Sequence, residues 1–248
     1  FSLDEFYTPG VPFMGYFFQL DGPGVFPRNS YTETSPARSF THDTTEKWNY
    51  GVFGPSLPGG QSPWYVSNRL KDAMFINVGF FTDQSPGRFG IADDVGSTTL
   101  YLDGKEIGSS PISGLGQFQV PPGPGVYTVR SDSVHKLSLS GNVSVEWVFK
   151  SDTVTNEVPE PLPLMAVRFA PALDNYNRAP RAVPTLVPIT VDHNAGRTSR
   201  KPAVQVSHDD GTTWKPVPVL TAGGRWFTIL VHPAGAKSVS LKASASDN

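Results

Sequence analysis

Prolines and glycines punctuate this chain throughout and limit the length of every element it can form. The 248 residues include 24 of each, spread evenly rather than in tracts. Proline interrupts the hydrogen bonding of helices and sheets, and glycine favours turns, so the chain is divided into many short segments. No sustained helical pattern survives, and no repeat recurs at a fixed period. The punctuation therefore predicts an all-β protein.

The apolar segments between these breaks have the composition and alternation of strands. In the segment 143–149 the side chains of Val143, Val145, Trp147 and Phe149 fall on one face, which predicts a half-buried strand. Segment 97–102 leads into Asp103-Gly104, a dipeptide typical of tight hairpins. The aromatic-rich segment 11–20 lies between glycine and proline turns, and we interpret it as a buried strand.

A proline-rich stretch at 157–163 marks the predicted domain boundary. Three prolines within five residues cannot sit inside a sheet, because proline has no backbone N–H to donate. We predict two β-sandwich domains in series: a jelly-roll-like domain over 1–156, the linker 157–163, and an immunoglobulin- or fibronectin-like domain over 164–248. Six candidate strands follow the linker, whereas such sandwiches usually have about seven, so we expect the last strand to be missing.

Charge, hydropathy and cysteine content remove several classes of function. The net charge is −2, from 20 basic and 22 acidic residues, so the chain lacks the basic surface expected for nucleic-acid binding. No apolar run is long enough to span a membrane. The absence of cysteine excludes disulfides and cysteine-ligated zinc, and no cofactor is predicted.

The stretch 207–214 reads S-x-D-x-G-x-T-W and predicts a tight hairpin. An aspartate can accept hydrogen bonds from the turn backbone, a glycine can adopt the positive φ of the turn, and a tryptophan can cover the two strands. The pattern is similar to the Asp-box, known from sialidases and from other secreted β-domains. One copy predicts a structural hairpin built on Ser207, Asp209, Gly211, Thr213 and Trp214.

The sequence has no recognisable catalytic or metal-binding motif, and we predict no catalytic residue. There is no G-x-S-x-G, phosphate-binding or dinucleotide-binding motif. The histidines are scattered without metal-binding spacing and are interpreted as loop or surface residues: His42, His135, His193, His208 and His232. The acidic pair Asp93 and Asp94 supplies too few oxygen ligands for calcium and is interpreted as a polar turn, although it is the nearest approach to a metal site.

Aromatic residues are the other possible binding groups. Trp48, Tyr50, Trp64 and Tyr65 fall in a loop-rich region of the N-terminal half. Exposed on one surface, such rings can stack on sugars or contact a polypeptide. Core and interface positions are the more frequent use of aromatic residues in β-proteins.

Several short segments, in order, resemble landmarks in the C-terminal region of large secreted subtilisin-like (S8 family) serine proteases of actinobacteria. They are residues 99–108, 125–129, 145–151, 164–169, 204–207, 210–214 and 239–248. The catalytic motifs of that family, D-[ST]-G, H-G-T and G-T-S-M, do not occur in this chain. The resemblance therefore implies a secreted accessory region whose partner is an upstream catalytic domain of the same parent protein.

Three hypotheses follow from these observations. The first is a non-catalytic accessory region of a secreted subtilisin-like protease, serving stability, spacing or recruitment of a polymeric substrate. The second is an extracellular carbohydrate-binding module, and the third is a glycosidase. The possible partners outside the parent protein are a polypeptide or a polysaccharide surface.

Overall fold

The protein is all-β. The structure, a computed structural model, describes residues 4–21, 28–57, 62–92, 95–134, 141–196 and 198–247, without the side chains of 20, 21 and 28–30. Within these ranges there are 22 strands and no helix, which confirms the predicted fold class. All the strand pairs that the structure describes are antiparallel, so none of them requires the long crossover that parallel pairs need.

The strands are short, as the proline and glycine content predicts. In chain order they are β1 (Pro12–Phe13), β2 (Tyr16–Asp21), β3 (Arg28–Thr34), β4 (Arg38–Ser39), β5 (Gly54–Ser56), β6 (Asn68–Leu70), β7 (Ala73–Asn77), β8 (Gly79–Thr82), β9 (Phe89–Ala92), β10 (Val95–Leu102), β11 (Lys105–Ser110), β12 (Leu115–Gln119), β13 (Gly125–Val134), β14 (Asn142–Ser151), β15 (Glu160–Pro161), β16 (Met165–Phe169), β17 (Pro184–His193), β18 (Ala203–Ser207), β19 (Lys215–Val217), β20 (Leu220–Ala222), β21 (Arg225–Val231) and β22 (Ser240–Ser244).

Two four-stranded sheets form what we call the first sandwich, in the strand orders β11-β10-β13-β14 and β12-β7-β6-β15. Their inward side chains share one core, which contains Met74 and Ile76 from one sheet and Leu100, Val129 and Trp147 from the other. The predicted hairpin at Asp103-Gly104 is confirmed, because both residues have positive φ and join β10 to β11.

Sheets of order β16-β17-β21-β20 and β19-β18-β22 form what we call the second sandwich. Val187, Ile189 and Leu230 from the first sheet pack against Val204 and Val206 from the second. The sequence predicted six strands after residue 164. The structure describes seven, because β20 pairs with β21 as an additional hairpin.

The proline-rich stretch 157–163 is partly incorporated into the first sandwich. Glu160 and Pro161 form β15, which pairs with Arg69 and Asn68 of β6 at the edge of a sheet. The prediction that this stretch cannot enter a sheet is wrong here, since an edge position tolerates a residue without an N–H. Leu162 is only 2% exposed and belongs to the first core. The domain boundaries themselves stay a prediction.

Three smaller sheets lie in the N-terminal part: β2-β3-β9, β5-β8 and β1-β4. The predicted strand 11–20 is divided into β1 and β2, and the interpretation of it as fully buried is wrong. Tyr16 and Phe18 are 60% and 56% exposed, whereas Phe17 between them packs against the first core. Alternation along β2 therefore places one aromatic inward and two outward.

Candidate functional site

The Asp-box residues form a closed hydrogen-bond network at the turn between β18 and β19. Asp209 accepts bonds from the Ser207 hydroxyl at 2.6 Å and from the backbone N–H and hydroxyl of Thr213 at 2.9 and 2.6 Å. The backbone N–H of Gly211, which has a φ of 82°, donates to the Ser207 hydroxyl at 2.9 Å. Both carboxylate oxygens are thus used within the turn.

These bonds stabilise the ionised form of Asp209. The hydroxyl of Ser207, followed by the hydroxyl and N–H of Thr213, lowers the pKa of Asp209 to about 2. Trp214 lies over Gly211, where an added Cβ would be 3.4 Å from the indole ring, and the Lys242 ammonium lies 5.9 Å from that ring. The arrangement is that of a folding motif.

A buried ionic cluster joins β3 to the loop after β8. Glu33 and Asp83 have no exposed surface, and both accept hydrogen bonds from Nη1 of Arg88, at 3.3 and 2.6 Å. The backbone N–H of Asp83 also donates to Glu33 at 2.8 Å. Burial, and secondly the charge of Asp83, raises the pKa of Glu33 to about 7.

Two neighbouring carboxyl groups, one of which has a raised pKa, are typical of glycosidase chemistry when they flank a substrate. Glu33 and Asp83 do not meet that requirement, because a general acid or base must contact its substrate and neither side chain has any exposed surface. The pair is therefore unsuited to glycosidic hydrolysis.

The second sandwich contributes Arg168 to the region around this cluster. Its guanidinium donates from Nη1 to the carbonyl oxygens of Gly54 and Pro55, at 3.0 and 2.9 Å, and from Nη2 to those of Thr82 and Asp83. Arg168 is 7% exposed. Arg168, in the sheet β16-β17-β21-β20, thus makes buried hydrogen bonds to residues in and next to the sheet β5-β8.

A large open cleft separates the N-terminal loops from loops of the second sandwich. Its volume is about 2440 Å³, and its walls come from segments 4–17, 40–53, 171–181 and 232–241. The lining combines aromatic rings with acidic, basic and amide side chains. It includes Phe40, Trp48, Tyr50, Tyr176, Glu46 and Arg178.

Two of the four aromatic candidates, Trp48 and Tyr50, line this cleft and are half-buried. Trp48 stacks on Phe17 with ring centroids 6.0 Å apart, and the Arg88 guanidinium carbon lies 3.8 Å from its ring centroid. The Tyr50 hydroxyl donates to the carbonyl of Leu173 at 2.8 Å. Both rings therefore hold neighbouring residues of the cleft wall in place, and both are also accessible from the cleft.

The other two candidates, Trp64 and Tyr65, are 53% and 66% exposed and are not among the residues lining the cleft. The structure therefore does not bring the four predicted aromatics into one row. The acidic pair Asp93 and Asp94 lies outside the described residues.

Some candidate groups could be identified only from the structure. Tyr176 is 72% exposed at the cleft, with the Arg178 guanidinium carbon 5.1 Å from its ring.

His208 and His232 lie with ring nitrogens 3.2 Å apart. His232 lies in the loop directly after β21, in agreement with its interpretation as a loop or surface residue, but it is buried, at 4% exposed, and burial lowers its pKa. The sequence predicts the strand β21, which ends directly before His232, but no sequence spacing relates the two histidines.

The part of the chain that the structure describes contains no group of three or more histidine, aspartate or glutamate side chains arranged to hold a metal ion. Within the same ranges there is no helix of the length and apolarity required to cross a membrane.

Comparison with known protein families and with curated proteins finds no match to this chain. The resemblance to the subtilisin-like proteases, drawn from short segments, therefore stays a prediction, as does the expected secretion.

Proposed function

We propose that this chain is a non-catalytic accessory region of a secreted subtilisin-like serine protease, and that it serves as a rigid scaffold beside the catalytic domain. The observation that carries the proposal is the buried contact of Arg168 with the N-terminal part of the chain. Four backbone carbonyls of that part accept hydrogen bonds from this one side chain of the second sandwich. Such a contact resists movement of the second sandwich relative to the β5-β8 sheet, whose Phe80 and Phe81 belong to the core of the first sandwich.

Three further contacts support a rigid scaffold. The side-chain amide of Asn194 donates to the carbonyls of Ser67 and Leu162, at 2.7 and 2.8 Å. The indole N–H of Trp147 donates to the carbonyl of Met165 at 2.7 Å. Ala166, on the first strand of the second sandwich, belongs to the core of the first. Burial and direct hydrogen bonds across the junction favour one fixed arrangement.

The test begins with the coding sequence upstream of Phe1. We expect it to encode a subtilisin-like domain with the three catalytic motifs. We then expect removal of residues 1–248 from the parent to shorten the half-life of peptidase activity on heating, while the separate fragment hydrolyses no peptide substrate. An upstream sequence that encodes no peptidase would contradict the proposal, as would an unchanged half-life.

The cleft supports a second function, binding of a polysaccharide. A volume of about 2440 Å³ exceeds the range of about 300 to 1,000 Å³ typical of small-molecule pockets, so an extended polymer fits it better than a small molecule. Exposed rings such as Tyr176 offer flat apolar faces, and the neighbouring Arg178 and Asp174 offer hydrogen-bonding groups.

Sedimentation of the protein with insoluble cellulose and chitin tests this second function. We expect Tyr176→Ala to reduce the bound fraction, because the substitution removes an exposed ring from the cleft without opening a core. Tyr65→Ala is the matched control, since Tyr65 is similarly exposed but does not line the cleft. Equal binding by Tyr176→Ala and the parent protein would exclude the cleft, and loss on Tyr65→Ala alone would place binding elsewhere.

A further inference from the structure

Two histidines from separate loops contact each other beside the cleft. His208 lies in the Asp-box turn after β18, and His232 directly follows β21 and lines the cleft. Nε2 of His208 lies 3.2 Å from Nδ1 of His232, and the two ring planes are inclined at 69° to each other. The facing nitrogens form one hydrogen bond, and we call these two residues the histidine pair.

The hydrogen bond of the histidine pair depends on how many protons the two rings carry. A neutral imidazole has one donor and one acceptor nitrogen, whereas a charged imidazolium has two donors and no acceptor. The bond therefore forms when the pair is neutral or carries one charge. A second proton leaves two N–H groups facing each other on two positive rings, so the contact becomes repulsive. Histidine takes up this proton in mildly acidic solution.

Burial makes the second proton unfavourable while the pair is closed. His232 is buried, and burial, followed by the charge of His208, lowers the pKa of His232 from its ordinary value of 6.5. The same ring binds a proton more tightly once it is exposed to water. Acidification therefore favours a conformation in which His232 has left its buried position.

His232 is the buried anchor of one part of the cleft wall. Within the segment 232–239 it is the one buried residue, and the others are half-buried or exposed. Further along this segment, the hydroxyl of Ser238 donates to the carboxylate of Asp210 in the Asp-box turn. The backbone N–H of Ala182, before β17, donates to the carbonyl oxygen of His232 at 2.9 Å. The histidine pair thus lies where these three segments meet.

The other charged groups on these three segments do not stabilise a doubly charged pair by hydrogen bonding. In the Asp-box turn, Asp209 accepts its bonds from residues of the turn, and Asp210 accepts one from Ser238. The remaining charged side chains are Arg181, before β17, and Lys237, in the cleft wall. Both are cationic, so neither favours a further positive charge.

We propose that the histidine pair is an acid-sensitive latch of the cleft wall, which holds the segment 232–239 against the Asp-box turn at neutral pH and releases it when both rings are protonated. The hydrogen bond between Ser238 and Asp210 is exposed and contributes too little to hold the segment alone. The cleft is therefore wider in mildly acidic solution than at neutral pH, whichever ligand it binds.

Hydrogen exchange at the amide of Ala182 tests the latch, because the acceptor of that amide is the carbonyl of His232. Exchange rates of the whole protein, corrected for the intrinsic effect of pH, measure how often this bond opens. We expect protection at Ala182 and over 232–239 to fall by about tenfold or more from pH 8 to pH 5, the factor that corresponds to one pKa unit between the held and the released ring.

Two outcomes of this measurement would overturn the proposal. The first is constant protection at Ala182 over this pH range. The second is an equal loss of protection on β13, because that strand belongs to the first sandwich and its exchange reports global unfolding rather than release of one segment.

Substitution separates the latch from other titrating groups. His208→Gln keeps a hydrogen-bonding side chain opposite His232 but limits the pair to one charge, so we expect the pH dependence at Ala182 to be largely lost. His42→Gln is the matched control, because His42 is exposed and also lines the cleft, and it should retain the pH dependence of the parent protein. An unchanged pH dependence in His208→Gln would refute the latch.

An NMR titration of the parent protein provides a measurement that needs no substitution. We expect the ring of His232 to titrate with a midpoint below 6.5, and the amide resonances of 232–239 to change with the same midpoint. A midpoint at or above 6.5 would contradict the proposal, as would titration of His232 without a change in these amides. None of these measurements depends on the proteolytic or polysaccharide-binding functions proposed above.

Discussion

Glu33 lies where an ionised carboxylate is unfavourable. The side chain has no exposed surface and lies beside Asp83, so both desolvation and the second carboxylate oppose its ionisation. Arg88 and the backbone N–H of Asp83 offset part of this cost, but the pKa of Glu33 remains about 7. The folded protein therefore binds a proton at Glu33 more tightly than the unfolded chain does.

This difference predicts a fall in stability as the pH rises. Below the unfolded-state pKa of 4.5 both states are protonated, and between 4.5 and about 7 only the unfolded state ionises freely. The contribution of Glu33 is thus fully present below pH 4.5 and is lost as the pH rises through 7, by up to about 3 kcal/mol. Denaturant unfolding of the parent protein and of Glu33→Gln at matched pH values measures it.

The expected outcome is that the two free-energy profiles converge at low pH and separate in favour of Glu33→Gln toward pH 8. Comparison with this variant isolates the site from His232, whose lowered pKa acts with the opposite sign and reduces stability as the pH falls below 6.5. Glu146→Gln, in an exposed pair with Arg130, is the control and should leave the profile unchanged. Parallel profiles for the parent protein and Glu33→Gln would contradict the prediction.

At the scale of strands, backbone proximity limits substitution at Gly90. A Cβ added to this residue of β9 would meet the carbonyl oxygen of Phe81 and would lie 2.9 Å from the Cα of Thr82, both in β8. These are backbone atoms and cannot move aside as a flexible side chain can. We therefore expect Gly90→Ala to reduce the free energy of unfolding by about 1 to 3 kcal/mol.

Gly54→Ala provides a matched control in a second strand. An added Cβ at Gly54 has no neighbour within 4 Å, and its φ is not in the left-handed region. We expect this substitution to be neutral or slightly stabilising because it restricts the unfolded chain. The measurement is denaturant unfolding of both variants, and equal stability of the two would argue against the close approach of β8 and β9.

The positions of the strands could be predicted from the sequence more completely than the burial and the pairing of their residues. Alternation identified β14, and Asp103-Gly104 identified the β10–β11 hairpin, because both depend on neighbouring residues. The same local reasoning failed at β2 and β15. Exposure of Tyr16 and pairing of Pro161 depend on which distant strand lies alongside, and neither is encoded within the segment.

For the whole molecule, the contacts that build the candidate site join residues far apart in the chain. Tyr50 and Leu173 are 123 positions apart, and no pattern in either segment refers to the other. Composition could therefore predict that aromatic residues were available for a binding surface. It could not predict that Trp48 and Tyr50 would line a cleft facing the second sandwich while Trp64 and Tyr65 would not.

Arg168 also contacts residues that are far away in the chain, so its substitution tests whether the two sandwiches unfold together. Its side chain is buried and satisfies carbonyls of Gly54, Pro55, Thr82 and Asp83. Arg168→Met keeps much of the volume but removes every donor, so these carbonyls lose the guanidinium as a partner and the nearby Asp192 carboxylate loses its ion pair. We expect a loss of about 3 to 5 kcal/mol in the free energy of unfolding.

Calorimetry distinguishes loss of coupling from general destabilisation. If Arg168 dominates the coupling between the two sandwiches, the parent protein unfolds in one transition and Arg168→Met in two, since each sandwich retains its own core. Arg130→Met is the control, because Arg130 forms an exposed pair within the first sandwich and its loss leaves one transition. A single transition in Arg168→Met at the parent temperature would mean that apolar packing around Leu164 and Ala166 holds the sandwiches together without the guanidinium.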